Sequence, residues 1–213
     1  RSLATNGKDI FALSIGNPAR LHKLSKDLIH KTLVYQENHE NVFYDSMQFW
    51  NEKEGIAIGD PTANCLSIIV TRDSGKTWQK LACDSLPKIY EGEAAFAASN
   101  TNIVVKGQHA WVVSGGKKAR VFHSPDKGKT WEVFETPLVQ GEAMTGIFTA
   151  DFYNDTIGFI AGGNYEKPLQ NFQNKAITTD GGKTWRLVGE NRGLGYTSCV
   201  QFVPNSGGKA LVA

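Results

Sequence analysis

Along the chain, apolar and polar positions alternate in short runs separated by Gly, Pro, Asn, Asp and Ser, the pattern of half-buried strands joined by tight turns. The runs fall into groups of four. One group covers residues 43–50, 55–58, 66–71 and 78–82. A second covers 94–98, 110–113, 119–124 and 131–134, with an extra segment at 103–105, and a third covers 147–153, 158–161, 175–179 and 185–188. The second run of each group ends alike, at Gly59-Asp60-Pro61, Gly115-Gly116 and Gly162-Gly163. Gly16-Asn17-Pro18 repeats that ending in an earlier group, which makes 19–35 a decayed strand, turn and strand. A short helix over 26–35 is the alternative, because Leu28, Ile29, Leu33 and Val34 fit neither period cleanly. No long segment sustains a 3.6-residue apolar period, so the chain is predicted to be all-β.

The third turn of each full group carries one octet. Thr71-Arg72-Asp73-Ser74-Gly75-Lys76-Thr77-Trp78 recurs as Ser124-Pro125-Asp126-Lys127-Gly128-Lys129-Thr130-Trp131 and as Thr178-Thr179-Asp180-Gly181-Gly182-Lys183-Thr184-Trp185. The aspartates lie 53 and 54 residues apart. A unit of this length, with short strands and glycine turns, matches one four-stranded antiparallel blade of a β-propeller. The predicted units are 1–38 (partial), 39–88, 89–138, 139–192 and 193–213 (partial), in one domain; residues 197–203 open the last. A propeller must close around its axis, so either the two end pieces complete a small ring or the chain is part of a larger one. The second is expected, because the sequence starts inside one unit and stops inside another.

Each octet residue has a backbone task. Asp73, Asp126 and Asp180 can accept hydrogen bonds from the amides that follow, and Gly75, Gly128 and Gly182 supply a left-handed conformation at little steric cost. Trp78, Trp131 and Trp185 then open the outer strand and cover the hairpin. An oxygen-lined metal loop is the functional alternative. It fails on count, since Lys127, Lys129 and Lys76 sit where further carboxylates would be needed, and no metal is expected.

The pattern Ser/Thr-x-Asp-x-Gly-x-Thr-Trp resembles the Asp-box, or bacterial neuraminidase (BNR) repeat, of sialidases, sortilin-type receptors and photosystem II assembly and stability factors. Gly92-Glu93-Ala94-Ala95-Phe96-Ala97-Ala98-Ser99 with Asn102-Ile103 is further similar to bacterial photosystem-factor-like repeat proteins. The resemblance implies a propeller whose boxes lie on the periphery and are structural. A sialidase-like site would add an arginine triad, a tyrosine nucleophile with a glutamate partner and an Arg-Ile-Pro signature. Arg20 precedes Leu21, Arg120 precedes Val121 and Arg186 precedes Leu187, so that signature is missing.

Composition narrows the chemistry. Apolar residues make up 40% of the 213, enough for a core, and 23 Lys plus Arg against 21 Asp plus Glu leave a net charge of +2, which gives no electrostatic reason to expect nucleic acid. No apolar run approaches the roughly 18 residues that a membrane span requires. Gly193-Leu194-Gly195 lacks the third glycine of a nucleotide turn, and no nucleophile elbow, phosphate loop or zinc-binding helix motif occurs, so no cofactor is predicted. His123 reads as an ordinary strand residue. Pairing the first full octet hairpin about Ser74 sets Val70 opposite Trp78 and hence Cys65 opposite Cys83, compatible with a disulfide or with two neighbouring thiols. A bridge would favour an exported protein, periplasmic or extracellular with its leader removed.

The remaining candidates lie on the face formed by the second turns and the interblade loops. Glu93 and Glu142, in Gly92-Glu93-Ala94 and Gly141-Glu142-Ala143, precede predicted innermost strands by similar distances. They could converge as acid and base for glycoside cleavage, or tie neighbouring blades together as acceptors. The segment 164–174 is longer than its counterparts and mixes aromatics with amides; Tyr165, Glu166, Asn171 and Phe172 make it the candidate recognition loop. The leading expectation is a non-catalytic propeller that binds a protein or carbohydrate partner. The alternative is a sialidase-like glycoside hydrolase or lyase.

Overall fold

The computed structural model describes residues 2–97 and 99–213. Four sheets follow one another along the chain. The first contains β1 (Ser2–Thr5), β2 (Asp9–Leu13), β3 (Ala19–Ser25) and β4 (Lys31–Glu37) in sequential antiparallel order. The second repeats this with β5 (Tyr44–Phe49), β6 (Gly55–Gly59), β7 (Ser67–Thr71) and β8 (Gln79–Lys80). After a short β9 (Glu93–Ala94) come β10 (Ile103–Lys106), β11 (His109–Val113), a two-residue β12 (Gly115–Gly116), β13 (Arg120–Ser124) and β14 (Glu132–Glu135), where β10, β11, β13 and β14 form the third sheet. The fourth is β15 (Thr145–Phe152), β16 (Gly158–Asn164), β17 (Lys175–Thr178) and β18 (Arg186–Leu187), extended at the β15 edge by β12 and β9. A final hairpin joins β19 (Gln201–Phe202) to β20 (Leu211–Val212).

The first strands of successive units, β1, β5, β10, β15 and β19, run beside one another. The sheets are therefore arrayed about a common edge, as propeller blades are. The apolar core divides accordingly into slabs between neighbouring sheets. Phe11, Leu21, Tyr44, Met47 and Ile69 fill the first, Ile56, Ile68, Ile103 and Phe122 the second, and Trp111, Val121, Ile147, Phe152 and Ile160 the third.

Several sequence expectations need correction. Residues 26–30 form a turn, not a helix, with Leu28 at φ +63° and Leu28 and Ile29 exposed. Exposed apolar residues carry no period, which is why the pattern was ambiguous. The first unit, read as partial, has four strands. Its third turn keeps a remnant of the octet: Ser25 Oγ donates to Asp27 Oδ1 and accepts from His30 N, while glycine and tryptophan are gone. In the third unit the innermost strand is β10, the segment read as extra. Of 94–98 only Ala94 is in a strand, and Ala98 lies outside the described residues. Of 197–203 only Gln201 and Phe202 are in a strand.

All three intact octets join third to fourth strands, and each tryptophan directly precedes the outer strand. In the second box Asp126 Oδ1 accepts from Lys129 N (3.0 Å) and Thr130 N (2.8 Å), Asp126 Oδ2 accepts from Thr130 Oγ1 (2.7 Å), and Ser124 Oγ accepts from Gly128 N (2.7 Å). Asp180 is held in the same way. Desolvation opposes its charge, but the bonds from Thr184, Thr178 and the Lys183 amide outweigh it and hold the carboxyl at about 2. The indoles of Trp131 and Trp185 donate to Gly128 O and Gly182 O at 3.2 and 2.9 Å. That of Trp78 is buried without an acceptor.

Candidate functional site

Glu93 and Glu142 are not equivalent in the structure. The fully buried Glu93 side chain receives Arg120 Nε on Oε1 (2.9 Å), Arg120 Nη2 on Oε2 (2.5 Å), Ser114 Oγ on Oε1 (2.6 Å) and Tyr90 N on Oε2 (2.9 Å). The Arg120 guanidinium also donates to Lys88 O and lies over the Tyr90 ring. Each carboxylate oxygen of Glu93 accepts two hydrogen bonds from these partners, leaving none for a substrate. Glu142 is exposed, accepts from Asn164 Nδ2 at 3.1 Å and lies 3.9 Å from Lys167 Nζ. It precedes β15 by three residues, whereas Glu93 precedes β10 by ten, so the matched spacing expected from sequence dissolves once β10 is the inner strand.

A tyrosine with a glutamate partner does occur, between the first two blades. Glu37 Oε2 accepts from Tyr44 OH (2.7 Å) and Tyr35 OH (2.8 Å), and Lys80 pairs with Glu37 Oε1. Burial raises both phenols well above their ordinary range, and Tyr44 is 0% exposed. A nucleophile would need the opposite on both counts.

The aromatic residues of the interblade loops converge instead. Phe96 and Ala97 from the loop before β10, Met144 and Phe148 from the entry to the fourth blade, Tyr165 from the β16–β17 loop, and Tyr196 and Ser198 from the loop before β19 line a cleft of about 480 Å³. Phe96 stacks on Phe148 with centroids 4.1 Å apart. Tyr196 stands perpendicular to Phe148 (4.7 Å, 86°) and to Tyr165 (5.3 Å, 89°). Phe148 reaches this position because it is the extra residue of a bulge: Ile147 pairs with Gly162 and Thr149 with Ala161. One inserted residue re-aims the side chain at that point in the strand.

Of the sequence candidates in 164–174, only Tyr165 lines the cleft. Glu166 is exposed beside it, its N–H donating to Asn164 Oδ1 at 2.9 Å. Asn171 and Phe172 are not among the lining residues, and Asn171 O accepts from Asn191 N. The segment is also no loose insertion. Asn174, 1% exposed, donates to Leu194 O and Gly195 O, and Pro168 O accepts from Tyr196 N, so the loop carries the Tyr196 backbone. Sequence reasoning missed Phe96, Met144, Phe148 and Tyr196; the usable signal was an excess of aromatics in segments that lead into inner strands.

Asp60, on the same loop set, accepts Ala95 N at 3.1 Å, and burial pushes its carboxyl up to about 6 against that single bond. Among the described residues no three His, Cys, Asp or Glu side chains are grouped to hold a metal ion. Among the described residues no helix is long and apolar enough to cross a membrane. Cys65 and Cys83 are joined in a disulfide with Cα atoms 5.6 Å apart. The strand register is one residue off that expected, Val70 facing Gln79, and Cys83 meets Cys65 from a 3-10 turn at Cys83–Ser85 rather than as a cross-strand partner.

Sheet order, the shared inner edge and the hairpin geometry define an all-β array of propeller blades, three of which carry the Asp-box pattern. The BNR/Asp-box repeat family matches residues 176–187, the third box with its flanking strands. No curated protein matches the chain. Among solved structures it is similar to a protein of unknown function from Dyadobacter fermentans DSM 18053, at 15% identity over 96% of this chain and 71% of that one, with a TM-score of 0.60. It is also similar to YCF48 from Cyanidioschyzon merolae, at 12% identity over 91% and 60%, with a TM-score of 0.51. A further likeness, to YCF48 bound to D1 peptide, has 15% identity, covers 87% and 65% and has a TM-score of 0.36. The chain thus spans under two thirds of either YCF48 chain. At these identities the likeness concerns the fold.

Proposed function

We propose that the protein is a binding module that docks a protein partner on the aromatic cleft of its interblade face. The observation that carries this reading is the convergence of Phe96, Phe148, Tyr165 and Tyr196 from three interblade entries and one blade loop, with Tyr165 55% exposed. Large aromatic rings with solvent-facing surface are the usual anchors of protein interfaces. The rings are held by the fold, Tyr165 N donating to Met144 O and Tyr196 N to Pro168 O, so little ordering entropy opposes binding. The hydrolase alternative loses its pair of carboxylates, since Glu93 is committed to Arg120 and Glu142 stands without an equivalent. The disulfide supports placement in an oxidising compartment.

The test is selection of a displayed random-peptide library beside a glycan array and a glycoside-hydrolysis panel, with wild type and Tyr165→Ala. Peptides enriched by wild type and lost with Tyr165→Ala are expected. Saturable binding confined to glycans, or turnover abolished by Glu142→Gln, would overturn the reading.

A further inference from the structure

Resting on that reading, we propose that the group the cleft takes from its partner is the ammonium of a lysine side chain, N-methylated forms being favoured over the unmodified amine. The first ground is the chemistry of the walls. Phe96, Tyr165 and Tyr196, packed about the buried Phe148, supply aromatic walls whose ring faces carry negative quadrupole potential, and Met144 a polarizable thioether, while no lysine or arginine is among the lining residues.

The second ground is that, among the described residues, no cation of the chain lies over these rings, which pack on one another. Among the described residues, cations lie over Phe11, Trp50, Tyr90 and Phe122, from Lys23, Arg72, Lys118 and Arg120. The protein's own lysines and arginines are placed over these other rings and over none of the cleft rings.

The third ground is shape. The Tyr196 plane is perpendicular to those of both Phe148 and Tyr165, so the cleft presents a corner rather than a flat platform. A planar sugar face or a stacked base fits a platform. A tetrahedral ammonium fits a corner, where it meets more than one ring at once. Charge at the rim agrees. Glu142, tied to Asn164 Nδ2, and Glu166 flank Tyr165, with Lys167 Nζ 3.9 Å from the Glu142 carboxylate. Methylation favours binding because it weakens hydration of the ammonium while keeping its charge.

The experiment uses the 213-residue chain with its Tyr165 and Tyr196 ring protons assigned by NMR. N-acetyl-trimethyllysine methylamide, the corresponding lysine amide and the neutral tert-butyl isostere of trimethyllysine are titrated separately. Saturable shifts of both rings are expected with trimethyllysine, with binding about tenfold weaker for the isostere. Tyr165→Ala should weaken the trimethyllysine response about tenfold and Tyr165→Phe should retain it, the second variant guarding against a folding defect. Equal binding of isostere and cation would overturn the inference while leaving a hydrophobic docking cleft, as the peptide selection would show separately. No ring shift with any cation would overturn it as well.

Discussion

Trp111 Nε1 donates a 2.8 Å hydrogen bond to Gly181 O, joining the second strand of one blade to the Asp-box of the next. The same box position is an acceptor in both other repeats, met by a different donor each time: Ser74 O takes Lys23 Nζ at 3.1 Å, and Lys127 O takes the Arg72 guanidinium. A ring from the preceding blade also covers each box glycine, Phe11 at Gly75, Trp50 at Gly128 and Trp111 at Gly182. The box is thus a latch between blades as well as a hairpin staple. Its left-handed residue, Ser74 at φ +64°, Lys127 at +59° and Gly181 at +79°, turns that carbonyl toward the neighbour.

Trp111→Phe should lower stability by about 1 kcal/mol more than Trp78→Phe, the worth of one buried hydrogen bond beyond the ring volume that both changes remove. Trp111→Ala should cost about 3–5 kcal/mol, because the ring is 0% exposed and stacks on Phe152 at 3.8 Å. Trp78→Phe is the control. Its indole N–H has no acceptor, so the same change there loses ring packing but no hydrogen bond. Denaturant midpoints of the three variants check the ranking, and equal losses for Trp111→Phe and Trp78→Phe would refute the latch.

Glu93→Gln should destabilise by roughly 3–5 kcal/mol, since it leaves the Arg120 guanidinium buried beside a neutral amide. Glu93→Gln with Arg120→Met should recover much of that loss. A catalytic role would show the opposite pattern, with intact stability and lost turnover. Thermal melts and a glycoside panel on the same preparations distinguish the two.

Much of this fold was legible because an Asp-box is a local device. Asp73, Gly75, Thr77 and Trp78 specify a turn through contacts within eight residues, and the same spacing recurs at blade intervals. The inner strands were less so. Residues 94–97 look like a strand because Ala95 and Phe96 are apolar, yet Phe96 serves the cleft, and β10 is recognised only by its partner β11. Phe148 shows why the cleft was missed. Its role depends on a one-residue bulge against β16, a relationship between strands that alternation along one strand cannot contain. Tyr165 was accessible to reasoning because length and aromatic content already marked its loop.

The Cys65–Cys83 bridge closes a loop of 18 residues' separation, and Cys65→Ser with Cys83→Ser should cost about 3 kcal/mol by restoring freedom to the unfolded chain. Iodoacetamide applied without reductant should label Cys199 alone, the free and exposed thiol. Mass spectrometry of tryptic peptides reads this out, and three labelled cysteines in oxidised protein would contradict the bridge.

Stability should depend on two opposed titrations between about pH 4 and 6.5. His123 is 5% exposed, its Nδ1 is buried without a partner and its Nε2 lies 2.9 Å from His109 Nδ1. Burial, then the neighbouring His109 and Lys183, hold its imidazole at about 4 against an ordinary 6.5, with Asp126 opposing. The unfolded chain takes a proton in this window that the folded chain refuses, so this contribution is complete above pH 6.5 and falls as pH drops toward 4. Asp60 has the opposite sign. Its carboxyl is raised from 3.8 to about 6, so the folded chain holds the extra proton, and stability from this group is present below 3.8 and lost as pH rises through 6. Each term amounts to about 1–3 kcal/mol. Asp60→Asn should therefore raise the Tm at pH 7 and leave a profile that falls more steeply on acidification. His123→Gln should make stability fall less on acidification, so that the opposite slope from Asp60 weighs more in the profile. Melting profiles of the two variants between pH 4 and 7.5 with parallel slopes would show that neither group is held as described.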